Sequence, residues 1–491
     1  MSAILVVERP ENWPIDLSGI DIVAARRYLT DPAYSGQRGV KVYNLCRSYR
    51  YQSVGYYVSL LAMARGHHPM PSVSTMQDLK SRSLVRFISE DLDALVQRSL
   101  APLTSDEFTL SIYFGENLAK RYDRLARALF NLFPSPLLRV QFSRERGVWK
   151  IRSLRPIGVR EIPESHRSFL IDTARRHFSS GTERPRRRSA WRWDLAILVD
   201  PRETDPPSDE TALRRFERSA VAVGLRTARI GRDDYGRLGE FDALFIRQTT
   251  AVNHHTFRFA RRASAEGLFV IDDPDSIVRC TNKVFLAELL NRAHVPTPRT
   301  VIVHRDNLEH GAEALGFPRI LKTPDGSFSI GVKRVDDREQ WRAVAKAILE
   351  ESDLLIAQEF MPTEFDWRIG VLAGQPLYAA RYGMARGHWQ IVHRGPSGRP
   401  RYGSVAAVAV EDAPARVVSL AVRAARLIGD GLYGVDIKQS GRRVAVVEIN
   451  DNPNLDAGCE DGALGRELYD RLARHFLDRI ESLKDSRGPA R

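Results

Sequence analysis

Val446-Val447-Glu448-Ile449-Asn450-Asp451-Asn452-Pro453-Asn454 is the stretch that decides how this chain is read. Apolar residues lead straight into a carboxylate and an amide two positions apart, and on a β-strand such residues share one face. Ten residues before Val446 stands Asp436, inside a second strand pattern, Tyr433-Gly434-Val435-Asp436-Ile437-Lys438. The link Gln439-Ser440-Gly441-Arg442-Arg443 is turn-like, so the spacing predicts a hairpin with Asp436 opposite Glu448. Asp436, Glu448 and Asn450 then offer three hard oxygen donors from one platform. Such a set suits Mg²⁺, which takes few protein carboxylates and fills its shell with phosphate oxygens. An acidic pair on a solvated strand is the plainer alternative. Flanking Val444, Ala445, Val446, Val447 and Ile449 argue for burial, where a carboxylate without a cation is costly. The metal reading is preferred.

With 491 residues the chain has room for about two to four domains with real cores. Its 74 Lys and Arg against 61 Asp and Glu give a net charge of +13. That excess attracts polyanions without choosing among nucleic acid, nucleotides and acidic peptides. Cys46, Cys280 and Cys459 lie far apart with no CxxC pattern, so neither a disulfide framework nor a zinc cluster is suggested, and none falls in a nucleophile motif. No apolar run approaches ~20 residues and no targeting pattern opens the chain. A cytoplasmic protein without a membrane segment is expected.

The segment 179–192, rich in arginine and without apolar periodicity, reads as a basic linker. Before it, residues 1–178 show an α/β pattern: a strand at 3–7, helices at 49–64 and 84–100, a helix near 117–133 and a strand at 138–142. After it, 193–275 alternates strand and helix: strands at 195–199, 227–230, 243–246 and 269–271, helices at 209–223 and 255–266. That alternation implies a small parallel sheet covered by helices. Asp200 and Arg247 fall just past strand C-terminal ends, where such sheets bind ligands. A helix at 283–292 and a strand reaching 302 follow.

Ile320-Leu321-Lys322-Thr323-Pro324-Asp325-Gly326-Ser327-Phe328-Ser329-Ile330-Gly331-Val332 reads as strand, Gly/Ser loop and strand. The spacing imitates a P-loop, but Val332-Lys333-Arg334 replaces Lys-Ser/Thr and no helix follows, so a Walker A site is rejected. A plain hairpin turn explains the loop; so does a lid whose backbone N–H groups cover phosphates. Leu354-Leu355-Ile356-Ala357-Gln358-Glu359-Phe360-Met361 is an apolar strand ending in polar residues, able to offer backbone groups to an adenine edge. In Phe365-Asp366-Trp367-Arg368-Ile369-Gly370-Val371-Leu372, Asp366 and Arg368 share a strand face, as a surface salt bridge or as site residues.

The order Lys283, Lys322, Gly-rich hairpin, Gln358-Glu359, Asp366-x-Arg368, Asp436, Glu448-x-Asn450 resembles the ATP-grasp superfamily, and within it the RimK-like ligases, over roughly 195–480. The segment from Val42 through Tyr49, Gly55 and Tyr57 to His67 is similar to the domain found before some RimK-like ATP-grasp proteins. The resemblance implies an α/β fold with α+β character in two ATP-grasp lobes: an N-terminal domain at 1–178, a pre-ATP-grasp domain at 193–275 and an ATP-grasp domain at 276–485. It implies that Lys283 and Lys322 bind phosphates and that Gly326, Ser327, Ser329 and Gly331 form the covering loop. Glu359 and Phe360 would form the adenine hinge, and Asp366 would bind the nucleotide. Arg368 and Lys322 would be catalytic, and Asp436, Glu448 and Asn450 would hold two Mg²⁺, with Mn²⁺ as an alternative. Asn282 stands where Asp is common in the family, and Arg381 or Arg394 stands in for a basic residue of a later strand.

The implied activity is ATP-dependent carboxylate–amine ligation through an acylphosphate, adding glutamate or a similar amino acid to a peptide or protein carboxylate. Phosphorylation gives the carboxylate a leaving group, and the chemistry needs Lys, Arg and Mg²⁺ more than a nucleophile. Two rivals are a non-catalytic ATP-binding regulator and a nucleic-acid-binding protein built on Arg47-Ser48-Tyr49-Arg50-Tyr51. The metal triad and arginine count against the first. The helical spacing of Tyr49, Val54, Tyr57 and Leu61, which reads as ordinary packing, counts against the second. A homo-oligomer is expected. The pairs His67-His68 and His254-His255 read as loop or cap residues, Glu460 and Asp461 as caps of a final helix, and Asn452 as a substrate-side contact.

Overall fold

The computed structural model describes residues 3–13, 20–34, 37, 40–79, 92–179, 191–325, 331–394 and 400–485. Contacts divide the chain into two units. One comprises Met1–Asp194, Ile230–Asp242 and Lys484–Arg491; the other comprises Leu195–Arg229 and Ala243–Leu483. Residues 180–190 of the expected linker, and Gly326, Ser327 and Ser329, lie outside the described residues.

In the first unit β1 (Ala3–Val7), β2 (Asp21–Ala24), β3 (Lys41–Asn44) and β4 (His68–Met70) form a sheet of order β2-β1-β3-β4 with parallel neighbours. Helices α1 (Ala25–Thr30), α2 (Val54–Ala64) and α3 (Val73–Asp78) accompany it. A meander of β5 (Glu107–Tyr113), β6 (Leu137–Glu145) and β7 (Val148–Pro156) carries α4 (Asp93–Leu100), α5 (Asp123–Leu132) and α6 (Arg167–Ser179). The helix expected at 49–64 starts at Val54, because Gln52 takes φ 64° and the Ser53 hydroxyl accepts from Tyr56 N as an N-cap. The helix expected near 117–133 starts at Asp123. Asn117 instead bonds Ser111 O and Ala119 N and holds its own stretch in a turn. Of the helix expected at 84–100, Asp93–Leu100 lies among the described residues.

The chain continues with β8 (Trp193–Leu198), α7 (Glu210–Ala222), β9 (Leu225–Ile230), β10 (Ala243–Ile246), α8 (His255–Ala265) and β11 (Phe269–Ile271). Sheet order is β11-β10-β8-β9, and β10 runs parallel to β8 and β11. Next come α9 (Pro274–Thr281) and α10 (Lys283–Arg292), with Asn282 capping α10 through Val284 N and Phe285 N. Asn serves this capping role as well as Asp does, which accounts locally for its presence before Lys283.

Two antiparallel sheets build the rest. The first has β12 (Thr300–Val303), β13 (Arg319–Lys322), β14 (Val332–Val335) and β15 (Leu355–Glu359) in the order β12-β15-β13-β14, under α11 (Leu308–Ala314) and α12 (Arg338–Glu351). The second joins β16 (Phe365–Leu372), β17 (Gln375–Gly383), β20 (Val405–Val408), β21 (Leu432–Ser440) and β22 (Arg443–Asn450) in the order β20-β17-β16-β21-β22. A small ribbon pairs β18 (Val392–Arg394) with β19 (Pro400–Tyr402), and α13 (Ala415–Ala425) and α14 (Arg466–Asp485) complete the chain. Period-two patterning divides the five-stranded sheet. Trp367, Ile369, Val371, Ala379, Val435, Ile437 and Ile449 bury against Val417, Ala421 and Ala424 of α13 and Leu286 and Leu290 of α10. The other face is left for polar groups.

Candidate active site

The polar face of the five-stranded sheet is read directly from its register. Arg368 pairs with Asp436 and Asp436 with Glu448, giving one row across three strands. Gly370, Gly434 and Asn450 make the next row. The expected hairpin is present, with Ser440 opposite Arg443 and Gly441 at φ 57° in the turn. The two glycines are steric requirements. A Cβ on Gly370 would lie 2.1 Å from the Tyr378 ring, and one on Gly434 would lie 2.7 Å from Pro453 Cβ.

On this face each acid has a cation. Arg368 grips Asp436 with two parallel bonds, Nε to Oδ1 at 2.6 Å and Nη2 to Oδ2 at 2.7 Å, and its guanidinium lies 4.4 Å from the Tyr382 ring centre. Lys438 Nζ donates to Asp366 Oδ1 at 2.7 Å and Thr363 Oγ1 at 2.8 Å. Lys283 Nζ is 3.3 Å from Glu448 Oε1. Burial raises the Asp436 carboxyl against the pull of Arg368. Burial also opposes ionisation of Glu448, but the Lys283 and Lys322 charges outweigh it and hold that carboxyl below its ordinary value. Asn450 Nδ2 donates to Asp436 Oδ2 at 3.2 Å and Gly434 O at 3.3 Å, which leaves its Oδ1 without a donor among the described residues. Lys322, at the end of β13, is buried, and burial brings its ammonium down to about 8.

These groups line one cavity of about 1290 Å³. It runs from Lys283, Lys322, Glu359 and Phe360 past Asp366, Arg368, Asp436, Glu448 and Asn450 to Asp209, Thr250 and Asp456. At the β15 end, Glu359 is turned toward Arg443, with bonds of 2.7 and 2.9 Å that hold its carboxyl down at about 2, and it also accepts from Arg299 N. Phe360 meets the Trp389 ring edge to face at 5.9 Å and carries the Arg334 guanidinium at 4.6 Å. Gly331 takes φ 75°, and a Cβ there would strike Thr323 Oγ1, so glycine is required where the loop rejoins β14.

Several expectations change. Arg381 pairs with Trp367, on the opposite sheet face from Arg368, and its guanidinium covers Phe365 and Trp367 at 5.1 and 4.8 Å. It therefore cannot stand in for a basic residue of this site. Arg394 lies in β18 opposite Pro400. Asn452 lines the cavity, and both its head-group atoms are also engaged within the fold: Oδ1 accepts from Arg247 Nη1 at 2.6 Å and Nδ2 donates to Gln248 O. Arg247 is itself buried, donating also to Ser208 Oγ and Pro453 O. Asp200 is held by Arg202. Glu460 accepts from Asp456 N and Asp461 from Gly458 N in a turn, and the last helix starts later, at Arg466. His254 precedes α8 as its cap residue, His255 contacts Gln248, and His67 contacts Tyr28 and Gln37.

The sequence reading missed Lys438, Tyr378 and Tyr382. Period two alone carries the signal for the first, since Lys438 stands two residues beyond Asp436 on the same strand. The tyrosines become legible only when β17 is registered against β16, with Asp366 opposite Tyr382.

Residues 25–173 match the RimK-like ATPgrasp N-terminal domain, and residues 280–464 match the RimK-like ATP-grasp domain. A probable alpha-L-glutamate ligase of Thioalkalivibrio sulfidiphilus is 28% identical over 221 residues, which are 44% of this chain and 70% of that protein. The one from Syntrophotalea carbinolica is 26% identical over 244 residues, 49% of this chain and 77% of that protein. Among solved structures, a RimK domain ATP-grasp protein from Sphaerobacter thermophilus aligns at 17% identity and TM-score 0.44, covering 57% of this chain and 98% of that one. What the family models and the curated relatives define is an ATP-grasp ligase, an enzyme that joins a carboxylate to an amine by a carbon–nitrogen bond at the expense of ATP. The chain belongs to the RimK-like ATP-grasp family, whose members work with ATP and Mg²⁺. Among the described residues no helix is long and apolar enough to cross a membrane.

Proposed function

We propose that the enzyme activates a peptide or protein carboxylate as an acylphosphate in this cavity and joins it to the amine of glutamate or a similar amino acid. The observation that carries the proposal is the row Arg368–Asp436–Glu448, with Asn450 beside it and Lys283 and Lys322 around it, lining one cavity.

Two carboxylates and a free amide oxygen on one rigid face fit Mg²⁺ with phosphate oxygens completing the shell. Asp436, Glu448 and Asn450 would hold two ions, which when bound neutralise the triphosphate for transfer. Lys283 and Lys322 hold phosphate oxygens, and Lys322 is protonated for this below about pH 8. Glu359 and Phe360 border the adenine end, and Asp366, fixed by Lys438 and Thr363, faces the nucleotide. Arg368, aimed by its two bonds to Asp436, steadies the equatorial oxygens of the transferring phosphoryl group. A carboxylate oxygen takes the γ-phosphoryl group and ADP departs. The amine nitrogen then attacks the acyl carbon, and inorganic phosphate and a proton leave as the amide forms.

The test supplies ATP, Mg²⁺, pooled amino acids and acidic peptides, reading ADP release alongside mass spectra. A new amide of the mass of glutamate plus peptide, less water, is the expected result. ATP binding without turnover under every pairing would refute ligation here.

A further inference from the structure

Helix α2 is built inside out. None of its eleven residues, Val-Gly-Tyr-Tyr-Val-Ser-Leu-Leu-Ala-Met-Ala, is charged. Its buried arc is made of small groups, Gly55, Val58, Ser59 and Ala62. Gly55 packs so close that a Cβ would lie 2.4 Å from Ser48 O, and Ser59 is tied to Asn44 and Pro71 O. Four large apolar side chains point outward, Val54 at 37% exposed, Tyr57 and Leu60 at 39% and Met63 at 52%, with Tyr51 at 65% just before the helix, while Tyr56 and Leu61 are half-buried. The rings of Tyr51, Tyr56 and Tyr57 form a contiguous aromatic run, with centroids 5.2 and 5.6 Å apart. Val54 and Tyr57, expected from their spacing to be ordinary packing residues, are therefore surface residues. A surface helix ordinarily turns its charged side to water and its large apolar side to the core, and a helix apolar all round is covered.

The charge around this face identifies what covers it. Between Asp31 and Asp78 the chain contains no Asp or Glu, and Arg47 and Arg50 stand just before α2, with Glu8 accepting from Arg47 N at 3.1 Å. Arg47 and Arg50 are exposed at the N-terminal end of α2, and their side chains make no hydrogen bond or ion pair among the described residues. Arg65, at the other end, turns inward onto Tyr28 O and Leu29 O. Two copies of this face would bring like charges together, which disfavours self-association. The aliphatic half, Val54, Leu60 and Met63, gives a sugar–phosphate backbone nothing to bind. A polypeptide with apolar side chains and carboxylates satisfies both parts.

We propose that the outward face of α2, with Arg47 and Arg50, is a docking surface for an acidic polypeptide segment with apolar side chains. Such a segment belongs to the molecule that brings the carboxylate to be ligated, an assignment that rests on the function proposed above. The docking itself requires neither ATP nor Mg²⁺.

A random-peptide library selected on the full-length protein without nucleotide tests this. Enrichment of sequences with Asp or Glu beside Leu, Phe or Tyr is expected. A synthesised winner should bind wild type and lose about tenfold or more in affinity to Tyr57→Glu, Leu60→Glu and Arg50→Ala, each with an unchanged melting temperature. Enrichment of neutral or basic peptides, or binding that survives these changes, would overturn the proposal. So would oligouridylate binding abolished by the same changes, or a wild-type dimer that Leu60→Glu splits. ATP turnover, measured separately with the same variants, reports on the ligase reading and is independent of the peptide result.

Discussion

The polar face of β16–β21–β22 and the outer face of α2 are opposite solutions to one problem. In the sheet, alternation buries Trp367, Ile369, Val435 and Ile437 and leaves Asp366, Arg368, Asp436, Glu448 and Asn450 facing a cavity. Each buried charge there is matched by another, as a low-dielectric site demands. In α2 the small residues are buried while Val54, Tyr57, Leu60 and Met63 are exposed, with exposed Arg47 and Arg50 beside them. A fully paired polar surface is complete within the chain and suits a small charged ligand that exchanges one partner for another. An unpaired apolar surface is incomplete and calls for a macromolecule.

The strongest way to break the comparison is at the sheet. Glu448→Ala removes an oxygen donor without removing core volume, so turnover of ATP should fall by about a thousandfold or more while the denaturation midpoint holds. Retained Mg²⁺-dependent activity would show that the face is merely a salt-bridge network. Gly370→Ala attacks the same face sterically. A Cβ 2.1 Å from the Tyr378 ring must displace a buried side chain, at a cost of about 1–3 kcal/mol readable in urea denaturation. An unchanged midpoint would mean that the ring moves freely.

Lys322→Ala should weaken ATP binding by about tenfold or more in calorimetry, with Lys322→Arg retaining most of the affinity. Titration sharpens this further. In the Mg²⁺-free protein Lys322 loses its proton near pH 8, below its ordinary 10.5, so ATP affinity should fall as pH rises through 8. Over the same window the unfolded chain holds the extra proton, so stability of the nucleotide-free protein should rise from pH 8 toward 10.5. Lys322→Met should abolish that rise. The smallest effect is at the other region. Tyr57→Glu should leave stability within about 0.5 kcal/mol, since Tyr57 is 39% exposed on the helix surface. A large loss of stability there would mean that the helix face is structural.

Much of the geometry of the candidate site is legible in the sequence. Strand period and a tight turn set Asp436 against Glu448, and the same period put Arg368 beside Asp366. The helix starts were less legible, because the Ser53 cap and the Asn117 turn win locally over longer periodic runs that point to earlier starts. Arg381 misled because two residues of equal charge on adjacent strands differ only in which face the register gives them. The tie of Asn452 to Arg247 was not legible because the two are 205 positions apart in the sequence.

What the sequence determined by itself is therefore every feature governed by short-range geometry: which residues alternate on a strand, where a glycine permits a turn, which side chains can hold phosphate or a hard cation. The tertiary structure decided what those groups meet. It assigned Arg368 to Asp436, Lys438 to Asp366 and Arg443 to Glu359, and it turned Val54, Tyr57, Leu60 and Met63 of α2 outward. Pairing and burial depend on contacts between residues distant in the chain, and no local pattern encodes which of several equivalent partners will arrive.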